Sequence, residues 1–339
     1  MAILFIDGFD FYTFATIGSR WLATGSPTFV SAAGRFGGQG LRVGASNIGI
    51  FRDIGSNLQS GILGFAFRWN DAVRPNAVEL CSLWDTTTMQ LGVRIAANND
   101  LVIHRNGTVL QTVVSGYPND ILWHYIEVKW KIINSTASGD IEIKIDGTTI
   151  LTGSAALDTQ ETGNAYATRY RLFGSGATTG QTLDIDDFYA KSDVTFIGER
   201  RVHTILPDGN GNHSDFAGSD GNSVNNFQLV DENPPNGDTD YVESSTATQR
   251  DTYSFANLPT GVIDIRAVQI NAYSRKTDAG TREIALTTRL GGTNYDGATR
   301  PLSSSYENIS ELAEVRPSDL AAWTPSDVNG AEFGTLVVT

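Results

Sequence analysis

The sequence predicts an all-β protein made of two antiparallel β-sandwich domains, on three observations. First, its apolar residues are of the kind that suit a pleated surface, with 16 Phe, 11 Tyr and 6 Trp against 2 Met, and frequent Val, Ile and Thr. Second, 35 Gly and repeated Asn-Gly and Asp-Gly pairs supply the tight turns that short strands need. Third, polar and apolar residues alternate over several segments, which puts one strand face in a core and the other in solvent.

The elements follow in order. Phe65-Ala66-Phe67-Arg68-Trp69 reads as a strand after a glycine. Leu91-Gly92-Val93-Arg94-Ile95 ends at Asn98-Asn99-Asp100, and Leu101-Val102-Ile103-His104-Arg105 turns through Asn106-Gly107 into Thr108-Val109-Leu110. The run Trp123 to Ile132 pairs with Asp140-Ile141-Glu142-Ile143-Lys144-Ile145, and Asp146-Gly147 turns the chain into Thr148-Thr149-Ile150-Leu151. Leu183-Asp184-Ile185-Asp186-Asp187-Phe188-Tyr189 closes the unit.

Certain of these segments, in this order, carry a family likeness. Ile6-Asp7-Gly8-Phe9-Asp10 is followed by Arg20-Trp21 and by Gly34-Arg35-Phe36-Gly37-Gly38, then by the hairpin Trp123 to Gly147 and by Ile185-Asp186-Asp187-Phe188-Tyr189. Over about the first 195 residues the chain resembles the concanavalin A-like lectin/glucanase (laminin-G-like) jelly roll, in the versions found in virion proteins of tailed bacteriophages. The resemblance implies a jelly-roll sandwich for residues 1–195. It implies little about activity, because that fold hosts many.

Composition then changes. Residues 207–237 are dense in Asp, Asn, Gly, Ser and Pro. Residues 1–195 hold 14 Lys+Arg against 18 Asp+Glu, and residues 196–339 hold 10 against 20. Five of the six Trp lie in the first part. A boundary near 191–196 follows, with residues 196–339 forming a second, smaller, acidic β-rich domain, also read as a sandwich. Its expected strands are 251–255, 262–273 and 281–289, the last two joined as a hairpin through Asp278-Ala279-Gly280. Glu307–Val315 and Pro317–Trp323 read as short helical pieces.

The net charge of −14 argues against a nucleic-acid groove, since Arg200-Arg201 and Arg275-Lys276 are isolated basic pairs. Cys81 is alone in the apolar run 78–83, so an internal disulfide is excluded and a reactive thiol disfavoured. The N-terminus reads as no signal peptide, and no apolar run reaches membrane-span length, so no membrane insertion is expected.

Catalytic residues are expected to be none. Glucanases of the resembled fold carry Glu-x-Asp-x-Glu on one strand, whereas Asp140-Ile141-Glu142-Ile143-Lys144 places a lysine where a third acid belongs. The cluster Asp184, Asp186, Asp187 lacks a Glu. The four histidines, His104, His124, His203 and His213, show no ligand spacing, and neither a Gly-x-Ser-x-Gly elbow nor a phosphate loop occurs. No cofactor is expected beyond a Ca²⁺ candidate at Asp208, Asn210, Asn212 and Asp215, whose oxygens fall at alternate positions. His213 stands where a Ca²⁺ loop needs Gly, and the competing reading is an acidic turn whose Asx side chains cap their own backbone. Trp21, Trp69, Trp84, Trp123 and Trp130 are each open to core packing or to stacking on sugars.

The functional expectation is a non-enzymatic virion structural protein of a tailed phage. It would be a capsid decoration, head-fibre or tail-associated component, assembled with other virion proteins as a homo-oligomer, a trimer by preference, and located in the virion. The alternatives are a carbohydrate-binding module that recognises a host glycan, and a polysaccharide hydrolase.

Overall fold

Alternating apolar side chains sort the first fifteen strands into two facing sheets. The computed structural model describes residues 2–44, 48–70, 77–117, 120–134, 140–152, 157–173 and 182–339. Two compact units, Met1–Val202 and His203–Thr339, make up the chain.

In the first unit the strands are β1 (Ile3–Asp7), β2 (Leu22–Thr24), β3 (Thr28–Ser31), β4 (Gln39–Gly44), β5 (Gly49–Leu58), β6 (Ser60–Trp69), β7 (Val78–Asp85) and β8 (Thr88–Ile95). They continue as β9 (Leu101–Arg105), β10 (Thr108–Val113), β11 (His124–Lys131), β12 (Ile141–Ile145), β13 (Thr148–Leu151), β14 (Ala167–Leu172) and β15 (Thr182–Lys191). One sheet has the order β13-β12-β11-β6-β15-β4-β3, with β1 also on β15; the other has the order β10-β9-β8-β7-β14-β5-β2. Every pairing is antiparallel, which makes this unit an antiparallel β-sandwich.

The core between the sheets takes every second residue. It includes Phe65, Phe67 and Trp69 from β6, Ile126, Val128 and Trp130 from β11, and Leu91, Val93 and Ile95 from β8. Each such side chain stabilises the fold by about 1.5–3 kcal/mol through its removal from water. The Asn106-Gly107 and Asp146-Gly147 pairs have φ of 42° and 94°, and of 50° and 76°. Positive φ at both central residues gives the turn whose twist matches that of antiparallel strands.

Residues 196–202, which composition assigns to the second part, pack with the first unit. Ile197 and Phe196 join Ile62, Ala66, Tyr125 and Tyr189 on the outer face of the eight-stranded sheet. The Gly198 amide donates to Glu127 Oε1 (3.0 Å) and the Val202 amide to Asp187 Oδ1 (2.8 Å).

The second unit contains β16 (Pro207–Ser214), β17 (Ala217–Gly218), β18 (Val242–Glu243), β19 (Arg250–Phe255), β20 (Val268–Ser274), β21 (Glu283–Leu290) and β22 (Thr293–Asp296). It ends with β23 (Arg300–Pro301), β24 (Glu307–Ala313), the helix α1 (Pro325–Asn329) and β25 (Glu332–Val337). A sheet of order β16-β19-β25-β21-β22, with β23 on β21, is joined by the ribbons β17-β18 and β20-β24. Apolar residues of β20 and β24 pack with Trp323, Phe333, Ile284 and Leu286 to form the layer between sheet and ribbon.

Three sequence expectations fail in this unit: residues 317–323 form a turn and not a helical piece, the α-helix beginning instead at Pro325 after the Thr324 cap. Residues 307–313 form a strand, not a helix: Glu, Leu and Ala favour a helix locally, but seven registered partners on β20 override that preference. The same pairing replaces the expected hairpin through residues 278–280, because β21 pairs with β25 and β22 instead.

His124, at the start of β11, lies between Asp146 (Nδ1 to Oδ2, 2.6 Å) and Asp120 (Nε2 to Oδ1, 2.8 Å). Burial alone lowers its pKa, but the two carboxylates outweigh that and the net shift is upward. A raised imidazole pKa stabilises the fold fully below the unfolded-chain value of about 6.5 and is lost as pH rises through the folded-state value. Thermal unfolding should therefore show the wild-type advantage over His124→Gln to be larger at pH 6 than at pH 9. An advantage that grows with pH would contradict this.

Candidate functional site

The outward-facing residues of the seven-stranded sheet gather polar groups that the fold leaves without partners. On β7, β8, β9 and β14 the inward side chains are Leu83, Leu91, Val93, Leu101, Ile103, Tyr170 and Leu172. Strand alternation then turns Ser82, Trp84, Gly92, Arg94, His104, Arg169 and Arg171 outward, and on β5 it does the same for Phe51 and Asp53. A bulge between Glu79 and Cys81 keeps Glu79 on this face as well, opposite Arg94.

At the centre is a buried Glu79–His104 pair, 6% and 4% exposed. His104 Nδ1 accepts the Gly107 amide proton (3.3 Å), which leaves the ring proton on Nε2 to be donated to Glu79 Oε2 at 2.7 Å. Gly92 is the floor. A Cβ there would lie 2.2 Å from Glu79 Oε1 and 2.5 Å from His104 Nε2, so only glycine admits the pair.

Three buried polar atoms on this face have no hydrogen-bond partner: Glu79 Oε1, Arg94 Nε and Arg171 Nε. Each such group costs about 1–3 kcal/mol when left unpaired. Burial holds Glu79 above the usual carboxylate range against the opposing pull of His104, Arg94 and Arg171. Burial also lowers Arg171, partly offset by Glu79. Gln90, at the end of the same sheet, shows the ordinary outcome. Its Oε1 accepts the amides of Glu161 (2.6 Å) and Thr162 (3.1 Å), and its Nε2 donates to the Asn164 carbonyl (2.7 Å).

An aromatic shelf flanks the orphaned atoms. Trp84 is half-buried and its Nε1–H donates to Ser82 Oγ at 2.8 Å. Phe51 meets it edge-on at 5.9 Å, and the Arg171 guanidinium lies 4.6 Å from the Phe51 ring centre. Arg169 is held by Asp53 at 2.5 Å. The face thus offers a half-buried indole with Phe51 against it, and two guanidinium groups, Arg94 and Arg171, that make no ion pair among the described residues.

The other sequence candidates lie elsewhere. Trp21, Trp69 and Trp130 are core residues, and Trp123 packs on the outer face of the eight-stranded sheet with Arg68 above it at 5.0 Å. Asp184 is clamped by Arg42 (2.6 Å) and Arg68 (2.9 Å). Asp186 accepts the Arg35 amide (2.8 Å), and burial raises both it and Asp187. Asp140 and Glu142 pair with Lys129 (3.2 and 3.4 Å).

The Ca²⁺ candidates Asp208, Asn210, Asn212 and Asp215 fall on β16 and just after it, at the start of the second unit. Asp208, Asn210 and Asn212 sit at alternate positions of the extended strand β16. The pairing of β16 with β19 is irregular on either side of Asn210, so that Asn210 and Ser214 face Tyr253 and Asp251, only two residues apart. Their side chains are engaged separately. Asp208 accepts from Ser254 Oγ (2.9 Å), Asn210 from the Phe227 amide (3.1 Å) and Asp215 from the Arg250 amide (3.0 Å), while Asn212 donates to Glu332. Among the described residues no group of three or more His, Cys, Asp or Glu is placed to hold a metal ion.

Sequence reasoning places His104 on a strand and Cys81 in an apolar run, but misses the site around them. The signals were an acid, Glu79, inside the run 78–83, and a glycine, Gly92, inside a strand. Gly92→Ala should disrupt the Glu79–His104 pair and lower unfolding free energy by about 1–3 kcal/mol in a denaturant titration. An unchanged midpoint would show that the pair can move aside freely.

No known family profile matches the sequence, and a search of curated proteins finds no relative. Solved structures with a similar chain path include the globular domain of T. cruzi calreticulin, at 13% identity and TM-score 0.37, covering 56% of this chain and 88% of that one. Arcelin-5, a lectin-like defence protein from Phaseolus vulgaris, is 11% identical with TM-score 0.37, over 56% and 98% of the two chains. A botulinum neurotoxin type C structure is 11% identical with TM-score 0.39, over 95% and 94%. The chemistry of the site rests on its own residues.

Proposed function

We propose that this chain is a non-catalytic recognition protein whose first unit binds a hydroxyl-rich ligand, a saccharide, on the outer face of the seven-stranded sheet. The observation that carries the reading is an aromatic surface beside unpaired cations: Trp84 and Phe51 in edge-on contact, the Arg171 guanidinium 4.6 Å from the Phe51 ring centre, and Arg94 and Arg171 without an ion pair among the described residues. Sugars present hydroxyl donors and acceptors around an apolar ring face, which is the complement of that set. Glycoside hydrolysis is disfavoured because it needs two carboxyl groups flanking the bond, and the second acid on this face, Asp53, is tied to Arg169.

The sequence resemblance extends the proposal to the protein's setting. The chain would be a virion structural protein of a tailed phage, a capsid decoration, head-fibre or tail-associated component. It would assemble with other virion proteins as a homo-oligomer, a trimer by preference, and attach to a host-surface glycan. Weak single-site sugar binding gains strength when copies are presented together on a particle.

A glycan array probed with the purified chain and with Trp84→Ala tests the recognition reading. Defined saccharide binding that the substitution abolishes, with thermal stability retained, is the expected result. A wild-type chain silent across the array, or binding indifferent to Trp84, would refute it.

A further inference from the structure

We infer that the ligand of this face is an acidic saccharide, whose carboxylate or sulfate group seats on Arg94 and Arg171. The inference rests on the saccharide reading above and specifies the substrate class.

The argument is one of uncompensated charge. Most arginines of this acidic chain are neutralised nearby: Arg20 by Asp7, Arg42 and Arg68 by Asp184, Arg105 by Asp158 and Glu161, and Arg169 by Asp53. Arg94 and Arg171 make no such ion pair among the described residues, although the chain carries a net charge of −14. They lie on β8 and β14, the two strands that flank β7, with Glu79 on β7 between them. Glu79 feels both guanidinium groups, so the three form one electrostatic cluster. Two cations against one carboxylate, itself hydrogen-bonded to His104, leave an excess positive charge in a largely buried setting.

Desolvated guanidinium groups bind carboxylates and sulfates strongly because their N–H donors match the anion's oxygens. Phe51, with the Arg171 guanidinium 4.6 Å from its ring centre and Trp84 edge-on at 5.9 Å, provides the apolar surface beside the cations.

Affinity electrophoresis and calorimetry with three polymers separate the possibilities: polygalacturonate for carboxylates, dextran sulfate for sulfate esters, and dextran as the neutral control. The wild-type chain should bind one or both acidic polymers and prefer them to dextran. Arg94→Gln and Arg171→Gln should each weaken that binding about tenfold or more, the worth of a charge-assisted hydrogen bond. Arg94→Lys and Arg171→Lys should recover part of it, and melting curves establish that each variant is folded. Preference for polygalacturonate or for dextran sulfate identifies which anion is read. Dextran bound as tightly as the acidic polymers, in a manner that depends on Trp84, would overturn the anion assignment and leave saccharide recognition standing. Acidic binding insensitive to both arginines would also overturn it, as bulk ionic attraction. Failure of all three polymers to bind would overturn the inference, and if the glycan array is silent as well, the recognition reading falls with it.

Discussion

Asp7 lies at the end of β1, 1% exposed, and accepts hydrogen bonds from the Phe9 amide (2.8 Å), Tyr12 Oη (2.7 Å), Trp21 Nε1 (2.8 Å) and Arg20 Nε (3.3 Å). A carboxylate this deep is tolerated only when paired and bonded, and removing such a partner typically costs about 3–5 kcal/mol. The network therefore fixes where the first turn, the short 3-10 turn Ile17–Ser19 and the Trp21 indole must sit. Trp21 in turn meets Phe5, Phe9, Tyr170 and Phe188, ring to ring. Tyr170 is the inward residue of β14, and its neighbours Arg169 and Arg171 point the other way. One buried acid thus orients the indole against which the inward Tyr170 of β14 packs.

The two faces of the same sheet follow opposite rules. Inside, apolar side chains fill the space and the only requirement is volume and shape. Outside, polar groups are satisfied unevenly: Glu79, Arg94 and Arg171 each keep an atom unpaired while Gln90 is fully bonded.

The strands, their turns and the sandwich were legible in the sequence because period-two alternation and Asp-Gly or Asn-Gly turns are local signals. Residues 141–147 and 101–107 form the expected strands and turns, and their turn residues take the positive φ that the composition demands. The second unit was harder to read, since Glu307–Ala313 has helix-favouring residues and is held as a strand by pairing with β20, far away in sequence. The site was not legible for a similar reason. Glu79, Gly92, His104 and Arg171 come from four strands, and only the register of those strands brings them together. The Asp208–Asp215 run, with oxygens at alternate positions, falls on the irregular strand β16 and just beyond it.

The most direct test of the central claim is a crystal structure of the chain with an acidic oligosaccharide bound. An oligosaccharide on the outer face of the seven-stranded sheet, with its anion on Arg94 and Arg171, is the predicted result. An oligosaccharide seated elsewhere on the chain would contradict it.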